Sequence, residues 1–167
     1  MAVTVQAIKE LRELTGVGML DCKSALEEAE GDLEKAKQIL RRRGIAVAEK
    51  RAGRETIQGL VEAYIHPDGR LGALVELNSE TDFVARTDEF KALAHDLAMQ
   101  VAATEPQYVS PEELPADSDG DPRDLCLLAQ PFIKDANRSV QDLLNDAIAK
   151  TGENIRVRRF QRFQLGR

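Results

Sequence analysis

A predicted strand gives way to a predicted helix within Leu71-Gly-Ala-Leu-Val-Glu-Leu77-Asn78-Ser-Glu-Thr81-Asp82-Phe83-Val84-Ala85-Arg86. Apolar residues alternate along the first half, which is the period of a half-buried strand. The junction that follows carries two apolar residues, Phe83 and Val84, between Asp82 and Arg86. Because a strand-to-helix junction is normally polar, these side chains either turn into the core or contact another molecule. The spacing by itself leaves both interpretations open.

The elements on both sides of this stretch predict an α+β fold. A preceding strand is expected over Ile57–Ile65. The turn Pro67-Asp68-Gly69 joins it to the next strand, since Pro presets one backbone angle and Gly supplies a positive one. After the junction, Thr87 is expected to cap a long helix with a regular apolar face.

The C-terminal part adds one helix and one strand to this arrangement. Ser139 is expected to cap the helix, with Asp142 at the position of a capping box. A final strand is expected over Ile155–Leu165, and its alternation breaks at Arg158-Arg159. The break indicates a bulge, which would let Phe160 and Phe163 both pack. The order of elements predicts a small three-stranded antiparallel sheet with helices packed on one face.

Residues 1–44 are predicted to form a module of three short helices. Val5, Ile8, Leu11 and Leu14 recur at helical spacing, Thr4 and Asp32 are placed to cap two helices, and Gly44 is expected to end the third. Residues 45–55 are interpreted as a basic linker, helical or extended, and residues 56–167 as the α+β core. A module this small lacks the depth for an enclosed active site, which favours a binding role.

Composition excludes several classes of protein. The chain has 167 residues, 43% of them apolar and 31% charged, which is ordinary for a globular protein. A net charge of −6 argues against non-specific nucleic-acid binding by the whole surface. No apolar run is long enough for a membrane span, and the N-terminus lacks a signal-peptide pattern. Two isolated cysteines, Cys22 and Cys126, fit a reducing compartment, so a cytoplasmic location is expected.

The sequence also lacks the motifs of covalent catalysis. It contains no P-loop, no G-x-S-x-G and no cluster of Cys and His. Asp117-Ser-Asp119-Gly120-Asp121 fails the spacing of a calcium-binding EF-hand loop, and residues 105–124 are interpreted as a flexible acidic loop. We therefore expect a binding protein that is not an enzyme and needs neither cofactor nor metal.

Three parts of the sequence resemble the elongation factor Ts family of bacteria and organelles. The stretch Leu11-Arg12-Glu-Leu-Thr15-Gly16-Val17-Gly18-Met19-Leu-Asp21-Cys-Lys23-Ser-Ala25-Leu26 is similar to the family's N-terminal signature. The stretch Glu76–Arg86 is similar to its second signature. Gln130-Pro-Phe-Ile133 and Gly152-Glu-Asn-Ile-Arg-Val-Arg-Arg159 resemble its C-terminal part. The matches occur in the family's order and extend over nearly the whole chain.

The resemblance implies a guanine-nucleotide exchange factor for the GTPase elongation factor Tu, without covalent chemistry. In the family, the N-terminal module resembles ubiquitin-associated (UBA) domains and docks on the nucleotide-binding domain of the GTPase. The implied docking residues are Leu11, Arg12, Thr15, Gly16, Val17, Gly18, Met19, Asp21 and Lys23. The implied site that dislocates Mg²⁺ from the GTPase is Thr81, Asp82, Phe83 and Val84, with Phe83 inserted as a wedge.

The sequence departs from the family in two respects. Larger members carry two related core halves, whereas this chain has one, so the resemblance implies a homodimer. The segment between residues 109 and 130 is also shorter than the helical excursion of similar short members, which puts any contact made by that excursion in doubt.

Two other classes of function stay open from the residues alone. An RNA- or ribosome-binding protein would use Arg156, Arg158, Arg159 and Arg162, although arginines on one strand also suit an exposed edge. An adaptor for a ubiquitin-like partner would rest on the helical module only. The resemblance implies neither a membrane partner nor direct nucleic-acid contact.

Overall fold

A computed structural model describes residues 3–167, which divide into two compact units. The first unit runs to Gly53 and includes Asn145–Gly152, and the second comprises Arg54–Leu144 and Glu153–Arg167. Within the described residues, no helix combines the length and apolar character needed to cross a bilayer. The order of helices and strands confirms the predicted α+β fold.

The first unit is built on three helices, α1 (Val5–Thr15), α2 (Met19–Glu28) and α3 (Leu33–Arg51). The Thr4 hydroxyl accepts a hydrogen bond from the Ala7 N–H, and the Asp32 carboxylate accepts one from the Lys35 N–H, so both predicted caps are confirmed. The core consists of small and aliphatic side chains: Ile8, Leu11, Cys22, Ala25, Leu26, Ala29, Ala36, Ile39 and Leu40. Val5 and Leu14 remain exposed, so the predicted stripe on α1 is only half buried.

The prediction that the third helix ends at Gly44 is wrong. Helix α3 continues for about two more turns to Arg51, and Gly44 and Ala48 are buried along it. Residues 45–51 are good helix formers, and a glycine inside a helix costs only about 1 kcal/mol relative to alanine, which burial of neighbours offsets. The first part of the predicted basic linker is therefore helical.

The second unit contains a three-stranded antiparallel sheet in the order β1-β2-β5, formed by β1 (Gln58–Ile65), β2 (Leu71–Ser79) and β5 (Ile155–Gln164). At Gly59, φ is 146° and an added Cβ would lie 2.1 Å from the Leu77 carbonyl oxygen. Only glycine therefore allows β1 to approach β2 at the end nearest the 78–86 junction.

The bulge predicted in β5 is confirmed. Glu76 pairs with Arg159 but the next residue, Leu77, pairs with Val157, so Arg158 is the extra residue. Phe160 is half-buried, whereas Phe163 is 64% exposed. The expectation that both rings pack is thus wrong for Phe163, which lies on the sheet face opposite the helix.

One face of the sheet is covered by α5 (Asp88–Thr104), which packs on β1 and β2. Its buried residues include Phe90, Ala94, Leu97 and Val101, and Val75 and Leu77 are buried on β2. The one-turn helix α4 (Asp82–Ala85) connects β2 to α5, where the prediction had a loop. The last helix, α7 (Val140–Thr151), begins with the predicted capping box: the Asp142 N–H donates to the Ser139 hydroxyl and the Ser139 N–H donates to the Asp142 carboxylate.

The region after α5 is more ordered than the predicted acidic loop. Short 3-10 turns at Pro111–Glu113 and Leu127–Ala129 flank α6 (Pro122–Leu125). The ends of the segment are joined, because the Gln107 N–H donates to the Leu125 carbonyl and the Leu127 N–H donates to the Tyr108 carbonyl. A two-stranded sheet of β3 (Pro131–Phe132) and β4 (Asp135–Ser139) follows, which the sequence did not predict.

Candidate partner-binding site

The junction between β2 and α5 presents a single aromatic ring to solvent. Phe83 is 79% exposed, whereas Ala85, two residues later, is buried. Val84 is half-buried beside it. The prediction that Phe83 is accessible is confirmed, and the alternative that it fills its own core is excluded.

Helix α4 holds Phe83 in its first turn. The Thr81 hydroxyl accepts a hydrogen bond from the Val84 N–H (3.4 Å) and so caps the helix, which was not predicted. At the other end, the Thr87 hydroxyl donates to the Val84 carbonyl (2.8 Å) and caps α5 by accepting from the Phe90 N–H. Threonines at both ends therefore fix a helix too short to be stable by itself.

Charged groups flank the ring on its own helix. The Asp82 carboxylate lies 2.9 Å from the Arg86 guanidinium, one helical turn away. Both side chains are largely solvated, so the pair contributes only about 0.3–0.5 kcal/mol to stability. The exposed ring of Phe83 is therefore bordered by charged groups. An apolar centre with a polar rim is the usual arrangement of a protein–protein contact.

Sequence reasoning missed the residues that support the junction from elsewhere in the chain. The Glu153 carboxylate accepts hydrogen bonds from both the N–H and the hydroxyl of Thr81. The Glu80 carboxylate accepts from the Asn154 N–H. Glu153 and Asn154 belong to a stretch that the sequence singled out only by its similarity to a family, and nothing local indicated which groups they bind.

The predicted docking residues of the first unit divide between its surface and its interior. Leu11 is completely buried in the helical core, so its side chain cannot contact a partner and its predicted role is corrected to a structural one. Thr15 is half-buried and donates from its hydroxyl to the Leu11 carbonyl (2.7 Å). Val17 is half-buried and packs against the same core. The exposed members are Arg12, Gly16, Gly18, Met19, Asp21 and Lys23.

Two exposed leucines extend this surface. Leu14 is 58% exposed at the end of α1, and Leu20 is 84% exposed at the start of α2. Met19 lies next to Leu20 and is 39% exposed. The left-handed conformation of Gly16, with φ at 67°, ends α1 and brings these apolar side chains to the connection between the two helices. Leu14 was expected in the core from its helical spacing, and Leu20 carried no signal.

Neither thiol is exposed, although Cys22 lies directly beneath the predicted docking residues Thr15 and Val17. Cys22 and Cys126 are buried and unpaired. Burial is the main cause that raises the pKa of each thiol above its ordinary value. Across residues 3–167, no group of three or more His, Cys, Asp or Glu side chains is placed to hold a metal ion.

Comparison with known proteins agrees with the sequence resemblance. A family model described as "Elongation factor TS" matches residues 23–119. The elongation factor Ts of Carboxydothermus hydrogenoformans is 51% identical, over 98% of this chain and 89% of its own length. That of Acetivibrio thermocellus is 47% identical, over 98% of this chain and 90% of its own length. That of Thermotoga maritima is 48% identical, over 99% of this chain and 98% of its own length.

These alignments also show that this chain is shorter than its relatives over the aligned region. Each runs over 194 positions, whereas this chain has 167 residues. At least 27 aligned positions, the difference between 194 and 167, therefore have no counterpart here. About half of the aligned residues are nevertheless identical along nearly the whole chain. The chain belongs to the elongation factor Ts family and is a translation elongation factor.

Proposed function

We propose that this protein is a guanine-nucleotide exchange factor that binds elongation factor Tu in its GDP form and promotes GDP release by displacing Mg²⁺. The observation that carries the proposal is the 79% exposure of Phe83 on a helix that is hydrogen-bonded at both ends. A rigid aromatic ring in water is an anchor for a partner's cleft, and covering it contributes about 1.5–3 kcal/mol. Asp82, Val84 and the Thr81 cap complete the contact.

The mechanism needs no covalent step. In GTPases of this class, Mg²⁺ bridges the nucleotide phosphates and the protein, so displacing the ion removes much of the affinity for GDP. The factor has only to bind the nucleotide-free GTPase more tightly than the GDP-bound one. Reciprocity of linkage then makes GDP and the factor weaken each other's binding by the same factor.

The first unit would dock the factor on the GTPase. We assign this role to residues 1–44, with residues 45–55 as the connection and residues 56–167 as the core that presents Phe83. Among the exposed predicted residues, Arg12, Asp21 and Lys23 supply charged contacts and Gly16 and Gly18 leave the backbone accessible, while Met19, Leu14 and Leu20 supply apolar area. An exchange factor for a translational GTPase acts where translation takes place, so the location proposed for this protein is the cytoplasm.

A homodimer is proposed through the sheet face opposite α5. Val61, Ile65, Leu74 and Phe163 are between 43% and 65% exposed there, and apolar side chains grouped on one exposed face are typical of a protein–protein contact. Glu76 and Arg159 lie on the same face. Because the face carries both signs of charge, a two-fold axis can bring each acid near a basic group of the second copy.

The arginines of β5 favour protein contact over RNA contact. Arg159 and Arg158 both approach Glu76, at 2.7 and 3.8 Å. Arg162 donates to the Ala102 carbonyl (2.9 Å), and its side chain is only 15% exposed. Three of the four arginines of the alternative hypothesis are thus engaged within the chain.

The deciding experiment measures release of a fluorescent GDP analogue from elongation factor Tu. Substoichiometric amounts of this protein should accelerate release, and Phe83→Ala should abolish most of the acceleration. Ile133→Ala, which truncates another exposed apolar residue of the second unit, is the matched control and should behave like the parent. Full acceleration by folded Phe83→Ala would exclude the wedge role, and a parent protein without effect would exclude the exchange function.

A further inference from the structure

Every polar atom of Thr81 is hydrogen-bonded. Its N–H donates to Glu153 Oε2 (3.0 Å) and its hydroxyl donates to Glu153 Oε1 (2.6 Å). The hydroxyl oxygen also accepts from the Val84 N–H. Its carbonyl accepts from the Ser79 hydroxyl (2.8 Å) and from the Ala85 N–H (3.4 Å). The residue that starts α4 therefore has no rotational freedom unless one of these bonds breaks.

A second carboxylate makes the reciprocal contact. Glu80 Oε1 accepts from the Asn154 N–H (2.6 Å), and the Glu153 carboxylate accepts from Thr81. Two pairs of neighbouring residues, 80–81 and 153–154, are thus joined by hydrogen bonds in both directions. The Asn154 side-chain amide donates to the Arg54 carbonyl (2.8 Å), and the Arg54 guanidinium lies 3.4 Å from Glu80 Oε2. Asn154 is 2% exposed. We call Glu80 and Glu153, with these contacts, the carboxylate clamp.

The clamp joins segments far apart in sequence. Glu153 lies 72 residues from Thr81, and Asn154 lies 74 residues from Glu80. These long-range bonds are not part of the hydrogen bonding within α4. They act on the orientation of the helix relative to the sheet. The helix also packs on β1, β2 and α5 and buries Ala85, but its own hydrogen bonds span only a few residues, so the bonds to Thr81 fix the end that carries Phe83.

We propose that Glu153 is a positioning residue for nucleotide release: by holding Thr81 through both carboxylate oxygens, it sets the direction in which α4 presents Phe83. The proposal rests on the proposed wedge role of Phe83. Glu153 itself does not contact the GTPase in this role. It acts through Thr81, and its effect is on the geometry of insertion.

The chemistry of the contact explains why a carboxylate is needed. Two donors of a single residue meet two acceptor oxygens, which is a bidentate arrangement with a charged acceptor. Glutamine at this position would offer one acceptor and one donor, so only one of the two bonds could keep its direction. Glu153→Gln should therefore retain part of the function, and Glu153→Ala should lose it.

The first test needs no partner. The sequence contains no tryptophan, so Phe83→Trp creates a single tryptophan at the wedge position, which can be excited selectively at wavelengths that the two tyrosines do not absorb. Time-resolved anisotropy of Phe83→Trp should show overall tumbling and the fast motion of an exposed ring, and an additional local component should appear when Glu153→Ala is added. Asp96→Ala, which removes a carboxylate paired with Lys134 elsewhere in the same unit, is the control and should add no such component. Identical anisotropy decays with and without Glu153 would overturn the proposal.

The second test separates positioning from docking. With saturating factor, Glu153→Ala should lower the maximal rate of GDP release about tenfold or more. A displacement of the Phe83 ring by about 1 Å is enough to cause a loss of this size. The factor concentration at half-saturation should change less than twofold, because the docking unit is intact. Glu153→Gln should lie between Glu153→Ala and the parent. An unchanged maximal rate, or an effect confined to half-saturation, would contradict positioning.

The two tests fail in different ways. If the parent protein does not accelerate GDP release, the proposed function is wrong, while the anisotropy decays still decide whether Glu153 holds the turn. Far-UV circular dichroism and thermal unfolding check that each variant is folded. If Glu153→Ala does not fold, both tests are made with Glu153→Gln, which should also add a local anisotropy component and lower the maximal rate of GDP release. Parent-like behaviour of Glu153→Gln would then contradict the proposal.

Discussion

The Glu76 carboxylate on β2 lies 2.7 Å from the guanidinium of Arg159 on β5, directly across the strand pair and on the sheet face opposite α5. The side chain of Arg159 is 79% exposed and that of Glu76 is 21% exposed. A pair this open to solvent contributes little to the stability of the monomer. Its position among exposed apolar side chains gives the face a mixed apolar and charged character.

Replacing Leu74 by glutamate should therefore prevent self-association. Leu74 lies next to Glu76 on the same face, so Leu74→Glu would place a second carboxylate in the apolar centre of the proposed dimer. Burying an unpaired charge costs several kcal/mol, which is enough to shift the dimer dissociation constant by at least about 100-fold. Sedimentation velocity across micromolar concentrations measures the change.

The control for this variant is Ala103→Glu, an exposed alanine near the end of α5. It adds the same charge away from the sheet face and should leave the mass of the parent unchanged. A dimeric Leu74→Glu protein, or a parent that sediments as a monomer throughout, would refute the proposed interface.

Truncation of Phe83 should cost almost no stability. Because the ring is 79% exposed, Phe83→Ala should change the free energy of unfolding by less than about 0.5 kcal/mol. Phe90→Ala, in the next helix, removes a ring that is 3% exposed and should cost about 3–5 kcal/mol. Urea denaturation of the two variants compares them directly, and equal losses would mean that the Phe83 ring is packed in solution.

Gln100 should contribute strongly to stability although it is polar. Its side chain is completely buried, and its amide nitrogen donates to Gln130 Oε1 (3.2 Å) and the Pro131 carbonyl (3.1 Å). Its amide oxygen accepts from the Ile133 N–H (2.9 Å). Gln100→Leu removes the partner of the Pro131 carbonyl and of the Ile133 N–H, while Gln130 Oε1 keeps its bond from the Thr104 hydroxyl (2.7 Å). At about 1–3 kcal/mol for each buried polar group, the loss should reach roughly 2–4 kcal/mol.

Urea denaturation measures this loss as well. Gln38→Leu, an exposed glutamine on α3, is the matched control and should stay within about 0.5 kcal/mol of the parent. A neutral Gln100→Leu variant would show that the network around β3 and β4 tolerates an apolar replacement.

The two thiols should be protected in the native protein. Cys22 and Cys126 are both buried, and burial raises the pKa of each. A raised pKa means a smaller fraction of thiolate at pH 8 than in an unfolded chain, and the thiolate is the reactive form. A chromogenic disulfide reagent should titrate no thiol rapidly in the folded protein and two after unfolding in urea.

Ala116→Cys provides the internal reference for that titration, since residue 116 is exposed. One thiol should react at once in the folded variant. Rapid reaction of two thiols in the folded parent protein would instead show that the cores around Cys22 and Cys126 open readily.

Much of the local structure could be predicted from the sequence. Caps at Thr4, Asp32, Thr87 and Ser139, the turn after β1 and the bulge at Arg158 all depend on bonds or angles within a few residues. The continuation of α3 beyond Gly44 could not be predicted in this way. A glycine ends a helix only when the residues after it do not themselves favour a helical conformation.

The candidate site was predictable in part. Resemblance to a family drew attention to residues 76–86, but strand and helix periods left Phe83 equally suited to a core or a surface. Leu11 and Leu14 recur one helical turn apart, yet the first is buried and the second is exposed. Periodicity identifies a face of a helix and does not specify how much of that face its neighbours cover.

The sequence by itself determined the order of the long helices and the three main strands, most of their caps and turns, and the family to which the chain belongs. Only the tertiary structure decided that Phe83 is exposed, that β3 and β4 pair around a buried glutamine network, and that Glu153 binds Thr81. The physical reason is the separation in sequence between the residues that make each contact. A cap or a turn is completed by neighbours in the chain, whereas a contact between residues 72 positions apart exists only once the β2–β5 pairing has brought their segments together.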